Sequence, residues 1–185
     1  MIIALKENGH VYFAVTYGFY SAAGTDDQFF YEPENINIWE VKGCKHTLMA
    51  GDNRVRDIDL LRYEKLFKGS LSIEKIDHEV IPKMVSKFKE YGRLDKNEHF
   101  FTTFYIAQKD QLYIIHEDKT ITYVDKVAST SSYHLIYASV ILSNEKTPEK
   151  KIVKALEKTM IFYANLHLPI AIMNTKTEKM LYIRG

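Results

Sequence analysis

The sequence has little that would direct the chain to a membrane, to nucleic acid or to redox chemistry. Its 185 residues include one cysteine, so no intrachain disulfide can form. No apolar run approaches the ~18 residues that a membrane span needs, and the N-terminus has no basic region followed by an apolar segment. The net charge of +1 attracts neither nucleic acid nor an anionic membrane. We therefore expect a cytoplasmic protein with no nucleic-acid or membrane partner.

Motifs for metals and cofactors are also missing. The seven histidines include no close pair such as His-x-x-x-His, which commonly marks a metal site. The run Ser129-Thr130-Ser131-Ser132 could hold an anion at a helix N-terminus. No Gly-rich loop or phosphate-binding Lys accompanies it, so helix capping is the better interpretation. We expect no metal and no cofactor, and we expect Cys44 to be an inert, half-buried thiol.

What the sequence does contain is typical of one globular domain. Hydrophobic residues make up 46% of the chain and charged residues 26%, which is enough for a sizeable core. No linker or internal repeat divides it, so a single domain over 1–185 is expected. Thirteen Tyr and ten Phe are present. Aromatic residues of this kind suit a protein interface and packed sheets equally well.

The first seventeen residues predict a β-hairpin. An apolar strand over residues 2–5 leads into the turn Glu7-Asn8-Gly9, and alternating apolar residues over 10–16 indicate the returning strand. An apolar strand at the very start of a chain is unusual, because termini fray unless they are tied down.

The remaining pattern alternates groups of strands with pairs of helices. Strands are predicted over 36–41, 45–49, 100–108, 111–116, 120–124, 169–173 and 179–183, and helices over 55–67, from Pro82, over 133–142 and from Pro148. Residues 68–77 are predicted to be a connector, and residues 127–132 a small-polar hinge.

The strand over 100–108 is apolar on both faces, with Phe104 and Ile106 on one side and Tyr105 and Ala107 on the other. A strand buried on both faces needs cover on both. Two stacked sheets, each covered outside by a helix pair, meet that need. The predicted fold is therefore α+β, a four-layer αββα sandwich.

This order of elements, with a hairpin at residue 1, resembles the proteasome β-subunit family of N-terminal-nucleophile (Ntn) hydrolases. It looks closest to the bacterial proteasome-like peptidase that partners an unfolding ATPase. The short local matches are Ile2-Ile3-Ala4, Asn8-Gly9, Val11 to Ala14, Met49-Ala50-Gly51 and Val127-Ala128-Ser129.

The resemblance implies a catalytic centre whose main groups are absent from this chain. In the family an exposed N-terminal Thr attacks the peptide bond, supported by an acid near the end of the second strand, a buried Lys and a Ser before the third helix. Here Met1 should be retained before Ile2, the acid's position falls at about Thr16, and the segment 29–35 has no Lys. Only Ser129 matches. We therefore expect no catalytic residues, and a remnant cleft formed by Met1, Thr16, Tyr17 and Ser129.

Three hypotheses for function follow. The leading one is a catalytically inactive proteasome-like protein that acts through oligomeric assembly, as a ring or dimer, or by binding a ligand or protein partner. The second is an Ntn-type hydrolase, threonine-peptidase or amidase-like, with a relocated or processed nucleophile. The third is an unrelated α/β sensor or scaffold module, which a single sheet in place of two stacked sheets would establish.

Overall fold

A computed structural model describes residues 2–17, 37–51, 55–130, 133–160 and 167–183. In chain order, the strands are β1 (Ile2–Glu7), β2 (His10–Tyr17), β3 (Ile38–Glu40), β4 (Thr47–Gly51), β5 (Phe104–Gln108), β6 (Gln111–Ile115), β7 (Ile121–Tyr123), β8 (Val127–Ser129), β9 (His167–Asn174) and β10 (Leu181–Ile183). The helices are α1 (Val55–Arg62), α2 (Ile73–Lys75), a π-helical turn (Ile76–Val80), α3 (Ile81–Glu90), α4 (Tyr133–Ile141) and α5 (Pro148–Met160). The described part of the chain contains no helix that is both long and apolar enough to cross a bilayer.

The strands form two five-stranded antiparallel sheets. Sheet A has the order β10-β9-β2-β1-β8, and sheet B has the order β3-β4-β5-β6-β7. β1 and β2 form the predicted hairpin, with Glu7 opposite His10 across the Asn8-Gly9 turn. Both turn residues have a positive φ, 53° and 74°, which is the geometry of the tight turns that suit the twist of a hairpin.

Three hydrophobic clusters separate the layers. The first lies between the sheets and includes Ile2, Phe13 and Leu48. The second packs sheet B against α1, the π-helical turn and α3, and it contains a group of three Phe rings: Phe88, Phe100 and Phe104. The third packs sheet A against α4 and α5. This confirms the αββα prediction, and the two stacked sheets rule out a single-sheet fold.

Some boundaries differ from the sequence prediction. Residues 127–129, predicted as a hinge, pair with β1 as strand β8. The segment 68–77 is only partly a connector, because a helix begins at Ile73 with Ser72 as its N-cap and continues through the π-helical turn to Glu90. α1 ends at Arg62 and not near Phe67, and β5 begins four residues after Phe100. The missed strand β8 is three residues long, and the other errors lie at element ends, where tertiary contacts outweigh local pattern.

A polar cluster joins the two sheets at the end of the sandwich where the β1–β2 turn lies. The Thr175 hydroxyl, fully buried, accepts from the Val11 N–H at 3.1 Å and donates to the Lys109 carbonyl at 2.6 Å. The Thr175 N–H donates to the Val11 carbonyl at 3.0 Å, and His46 Nδ1 lies 3.0 Å from the Thr175 carbonyl oxygen. Val11 belongs to sheet A, while His46 and Lys109 flank strands of sheet B. Thr175 therefore ties the sheets together.

Gln108 extends this cluster into sheet B. Its amide nitrogen donates to the Thr47 hydroxyl at 2.8 Å and to the Gly69 carbonyl at 3.0 Å, while its amide oxygen accepts from the Leu71 N–H at 2.7 Å. A buried polar group is tolerated when its hydrogen bonds are made. The side chain of Gln108 thereby fixes the segment that leads to the helix beginning at Ile73.

Replacement of the Thr175 hydroxyl should weaken the junction between the sheets. Thr175→Val keeps the side-chain shape but removes two buried hydrogen bonds, and the Val11 N–H and the Lys109 carbonyl keep only the 3.0 Å bond that they make with each other. The free energy of unfolding should therefore fall by about 1–2 kcal/mol. Urea denaturation measures the change. Thr177→Val, two residues away on the exposed turn, is the control and should cost no more than about 0.5 kcal/mol. Equal stabilities for wild type and Thr175→Val would contradict this role.

Candidate functional site

The start of β1 is the position where the family resemblance places its chemistry, and here it is a well-bonded core element. The Ile2 N–H donates to the Thr130 hydroxyl at 3.0 Å, and the Thr130 N–H donates back to the Ile2 carbonyl at 3.1 Å. The Ile2 and Ile3 side chains are both buried, on opposite faces of sheet A. The described start of β1 thus presents hydrocarbon side chains and carries no hydroxyl or thiol.

The candidate cleft residues lie on the two strands that flank β1. Ser129 on β8 is opposite Ile3. On the other side Val15 is opposite Ile2, so the backbone of Thr16 lies one residue beyond the end of that pairing, opposite Ile170 of β9. A register shift separates Thr16 from Tyr17. The structure thus brings the Thr16, Tyr17 and Ser129 backbones to one end of sheet A, whereas Met1 lies outside the described residues.

A groove of ≈ 400 Å³ opens beside Ser129, on the side of the sandwich where β7 and β8 are the edge strands. Its lining is Ile114, Thr122, Tyr123, Val124, Asp125, Lys126, Val127, Ala128 and Ser129. The walls combine hydroxyls, one carboxylate and one ammonium with aliphatic side chains. Such a lining can bind a mixed polar and apolar ligand.

Asp57 and Gly51, which lie beside the core of sheet B, have structural roles. Asp57, 2% exposed, accepts from Arg93 Nη2 at 2.7 Å and from the Thr102 hydroxyl at 3.0 Å. This pairing neutralises the buried carboxylate. At Gly51, which ends β4, an added Cβ would lie 2.8 Å from Ile58 Cγ1, so the approach of α1 favours glycine. The described residues contain no group of three or more His, Cys, Asp or Glu that could hold a metal ion.

Comparison with known proteins gives matches in structure only. No protein-family model matches the chain, and no curated protein matches its sequence. Among solved structures, BPH of Thiobacillus denitrificans in complex with epoxomicin matches at a TM-score of 0.73 and 14% identity, over 94% of this chain and 96% of that one. HslV of Trypanosoma brucei matches at 0.64 and 12% identity, over 94% and 97%. Anbu of Hyphomicrobium sp. strain MC1 matches at 0.69 and 10% identity, over 100% and 87%.

The chain has the proteasome β-subunit-like Ntn-hydrolase fold. Identities this low show the fold alone and carry no activity with them. Within this Ntn-like fold, the residue that sequence reasoning missed is Thr130. The sequence predicts for it only a role in capping a helix, but its hydroxyl accepts a hydrogen bond from the Ile2 N–H, 128 positions away in the chain. No local signal reports so distant a contact.

The Thr130 hydroxyl should stabilise the start of β1 through its hydrogen bond with the Ile2 N–H. Thr130→Val removes the acceptor for the Ile2 N–H at nearly constant shape, and we expect a loss of about 1 kcal/mol in the free energy of unfolding. Thr130→Ser keeps the hydroxyl and serves as the matched control, with most of the stability retained. Chemical denaturation of the three proteins decides the matter. A Ser variant as unstable as the Val variant would show that the hydroxyl is not what matters.

Cys44 is buried, and its thiol donates to the Phe67 carbonyl at 3.1 Å. Burial raises the pKa of the Cys44 thiol above its ordinary value. The thiolate is the reactive form, so a raised pKa and a covered sulfur both oppose alkylation. The thiol is thus buried and not half-buried as the sequence predicted, and its inertness stays a prediction.

The native protein should therefore react with a thiol reagent such as Ellman's reagent much more slowly than the denatured protein does at the same pH. The native rate should rise only as the pH exceeds the ordinary range for a cysteine, because the folded state keeps the thiol protonated. Absorbance of the released thiol chromophore follows the reaction. Fast stoichiometric labelling of the folded protein at neutral pH would contradict the assignment.

Proposed function

We propose that this protein is a catalytically inactive member of the Ntn-like fold class that acts through oligomeric assembly or by binding a ligand or a protein partner. The observation that carries the proposal is the composition and bonding of β1. Residues Ile2–Glu7 contain no Thr, Ser or Cys. In the family that the sequence resembles, acyl transfer needs a hydroxyl or thiol at the start of this strand.

The surroundings of β1 support the same conclusion. Thr16, at the position where the resemblance implies an acid, is a neutral residue that cannot supply a charge. The Ile2 backbone is occupied by its two hydrogen bonds to Thr130. A substrate that reacted at Ile2 would have to displace packed core residues. This displacement costs free energy, and we identify no described group whose contacts with the substrate would compensate for it.

Assembly is the first of the two roles that we propose. Large aliphatic side chains are exposed at two places near the helical side and the edge of sheet A: Ile141 and Leu142 at the end of α4 are 44% and 71% exposed, and Leu181 on β10 is 49% exposed. Exposed apolar groups of this size are common at protein interfaces. The resemblance to ring-forming proteasome subunits makes a homo-oligomer, a ring or a dimer, the natural form of that interface.

The alternative is an Ntn-type hydrolase, threonine-peptidase or amidase-like, with a relocated or processed nucleophile. The match to BPH in complex with epoxomicin favours testing it, because a protein of this fold and similar length binds that epoxyketone. The Thr130 hydroxyl contacts the start of β1, and Ser129 is paired with Ile3 through the backbone. Localisation in the cytoplasm and a single domain over 1–185 remain predictions of the sequence.

Covalent labelling separates the two functions. The natively expressed protein is incubated with epoxomicin, or with a β-lactone, and its intact mass is measured. We expect an unmodified mass with Met1 retained, because no nucleophile is exposed on β1. Denatured protein under the same conditions reports non-specific labelling.

A trimmed chain that carries a stoichiometric adduct would overturn the proposal and establish a working hydrolase. Peptide mapping would then locate the adduct, and Thr130→Val, together with Ser129→Ala, would show whether either hydroxyl had taken over the chemistry. Native mass spectrometry of the same sample reports the number of subunits. A strictly monomeric protein would exclude the assembly role and leave binding.

A further inference from the structure

β8 is an edge strand whose outer side has backbone groups available for pairing. Among the residues that the structure describes, β8 pairs only with β1 in sheet A. Lys6 N–H donates to the Lys126 carbonyl at 2.7 Å, and Thr130 N–H donates to the Ile2 carbonyl at 3.1 Å. In an antiparallel pair such bonds recur at every second residue. The N–H and C=O of Val127, which lies between two bonded positions, therefore point away from β1.

The outward side of β8 borders the groove described above. Val127, Ala128 and Ser129 form one wall, and Thr122 and Tyr123 of β7 belong to the opposite one. No hydrogen bond among the described residues uses the Val127 backbone N–H or carbonyl. An extended chain lying in the groove can satisfy both groups, as in strand addition to a sheet edge.

Two lysines carry positive charge beside the groove without a described ion-pair partner. Lys126 belongs to the groove lining, together with Asp125, and Lys6 contacts the lining residue Tyr123. The register places Lys6 opposite Lys126 across β1 and β8. Like charges opposite each other in a sheet are unfavourable. The Lys6 ammonium donates to the Tyr123 hydroxyl at 2.6 Å and lies 4.4 Å from the centre of that ring. Among the described residues no carboxylate forms an ion pair with Lys6 or Lys126. A ligand carboxylate would relieve this repulsion.

We propose that the β8 edge binds an extended, acidic peptide segment of a partner protein, which adds to sheet A as a sixth strand with a carboxylate beside Lys6 and Lys126. The backbone of Val127 supplies the strand-to-strand hydrogen bonds, and the two lysines supply the preference for acidic side chains. The inference specifies the partner for the binding role within the proposed function. It does not depend on the missing nucleophile, because an active hydrolase could carry the same edge.

The neighbouring edge, β7, provides the matched control. His116 N–H donates to the Thr120 carbonyl and Val124 N–H to the Leu112 carbonyl, so the backbone of Ile121 points outward from sheet B just as that of Val127 does from sheet A. Proline at an outward edge position removes an N–H without breaking the ladder. Val127→Pro and Ile121→Pro thus test the two edges with the same chemical change.

The experiment measures binding of a fluorescein-labelled peptide of alternating Val and Glu by fluorescence anisotropy. A peptide with Lys in place of Glu is the charge control. We expect the acidic peptide to bind wild type, and Val127→Pro to weaken that binding about fivefold or more through the lost hydrogen bond. Ile121→Pro should bind as wild type does. Lys126→Glu should weaken the acidic peptide about tenfold at low salt, and added salt should narrow the difference.

Three results would overturn the proposal: no binding of the acidic peptide, equal binding of the Lys peptide, or loss of binding in Ile121→Pro with Val127→Pro unaffected. If Val127→Pro does not fold, N-methylation of alternate peptide amides tests the same bond on the wild-type protein. One set of methylated positions should abolish binding and the other should not, and equal effects would refute strand addition. Mass spectrometry of the peptide after binding detects cleavage, which would refute catalytic inactivity while leaving the edge site intact.

Discussion

The structure depends on the burial of β1 in the middle of sheet A. β1 has β2 on one side and β8 on the other, and its first four residues are at most 1% exposed. Ile2 and Ala4 pack between the sheets, while Ile3 and Leu5 pack against the helices. Because a central strand buried on both faces cannot move without opening two cores, β1 sets the position of every strand paired to it.

Polar contacts determine where the sandwich is closed and where it is open. Thr175 joins the sheets near the β1–β2 turn with buried, satisfied hydrogen bonds, and Gln108 fixes the segment that leads to the helix beginning at Ile73. On the β7 and β8 side no other described strand pairs with the sheet edges, which border the groove. The Thr175 contacts thus hold the β1–β2 hairpin in place, and the outer side of β8 has backbone groups available for pairing. The described residues thus combine a closed junction near the β1–β2 turn with an accessible sheet edge beside the groove.

Much of this architecture follows from the sequence. The Asn8-Gly9 turn marks the hairpin, and the two-faced strand around Tyr105 requires cover on both sides, which together lead to the αββα sandwich. The sequence does not reveal β8, because Val127-Ala128-Ser129 is too short and too small-polar to differ from a hinge. The sequence does not predict the helix from Ile73, because its π-helical turn interrupts the regular spacing of apolar residues that marks an α-helix.

The site is less predictable than the fold, because its contacts join residues far apart in the chain. Ser129 was placed beside the start of β1 by resemblance, and the backbone pairing brings it there. The hydroxyl that binds Ile2 belongs to the next residue, Thr130, and the groove's opposite wall comes from β6 and β7. Which of two adjacent hydroxyls faces a strand end depends on register, which no local pattern encodes.

The central claim is that the start of β1 is a closed part of the core and not a reactive terminus. Native-state hydrogen exchange of the Ile2 amide, resolved by NMR, tests it most directly. The account predicts that this amide exchanges about as slowly as the amides in the middle of β1, through opening of the whole domain. Rapid exchange at Ile2, with slow exchange in the rest of the strand, would show an open strand end and contradict the account.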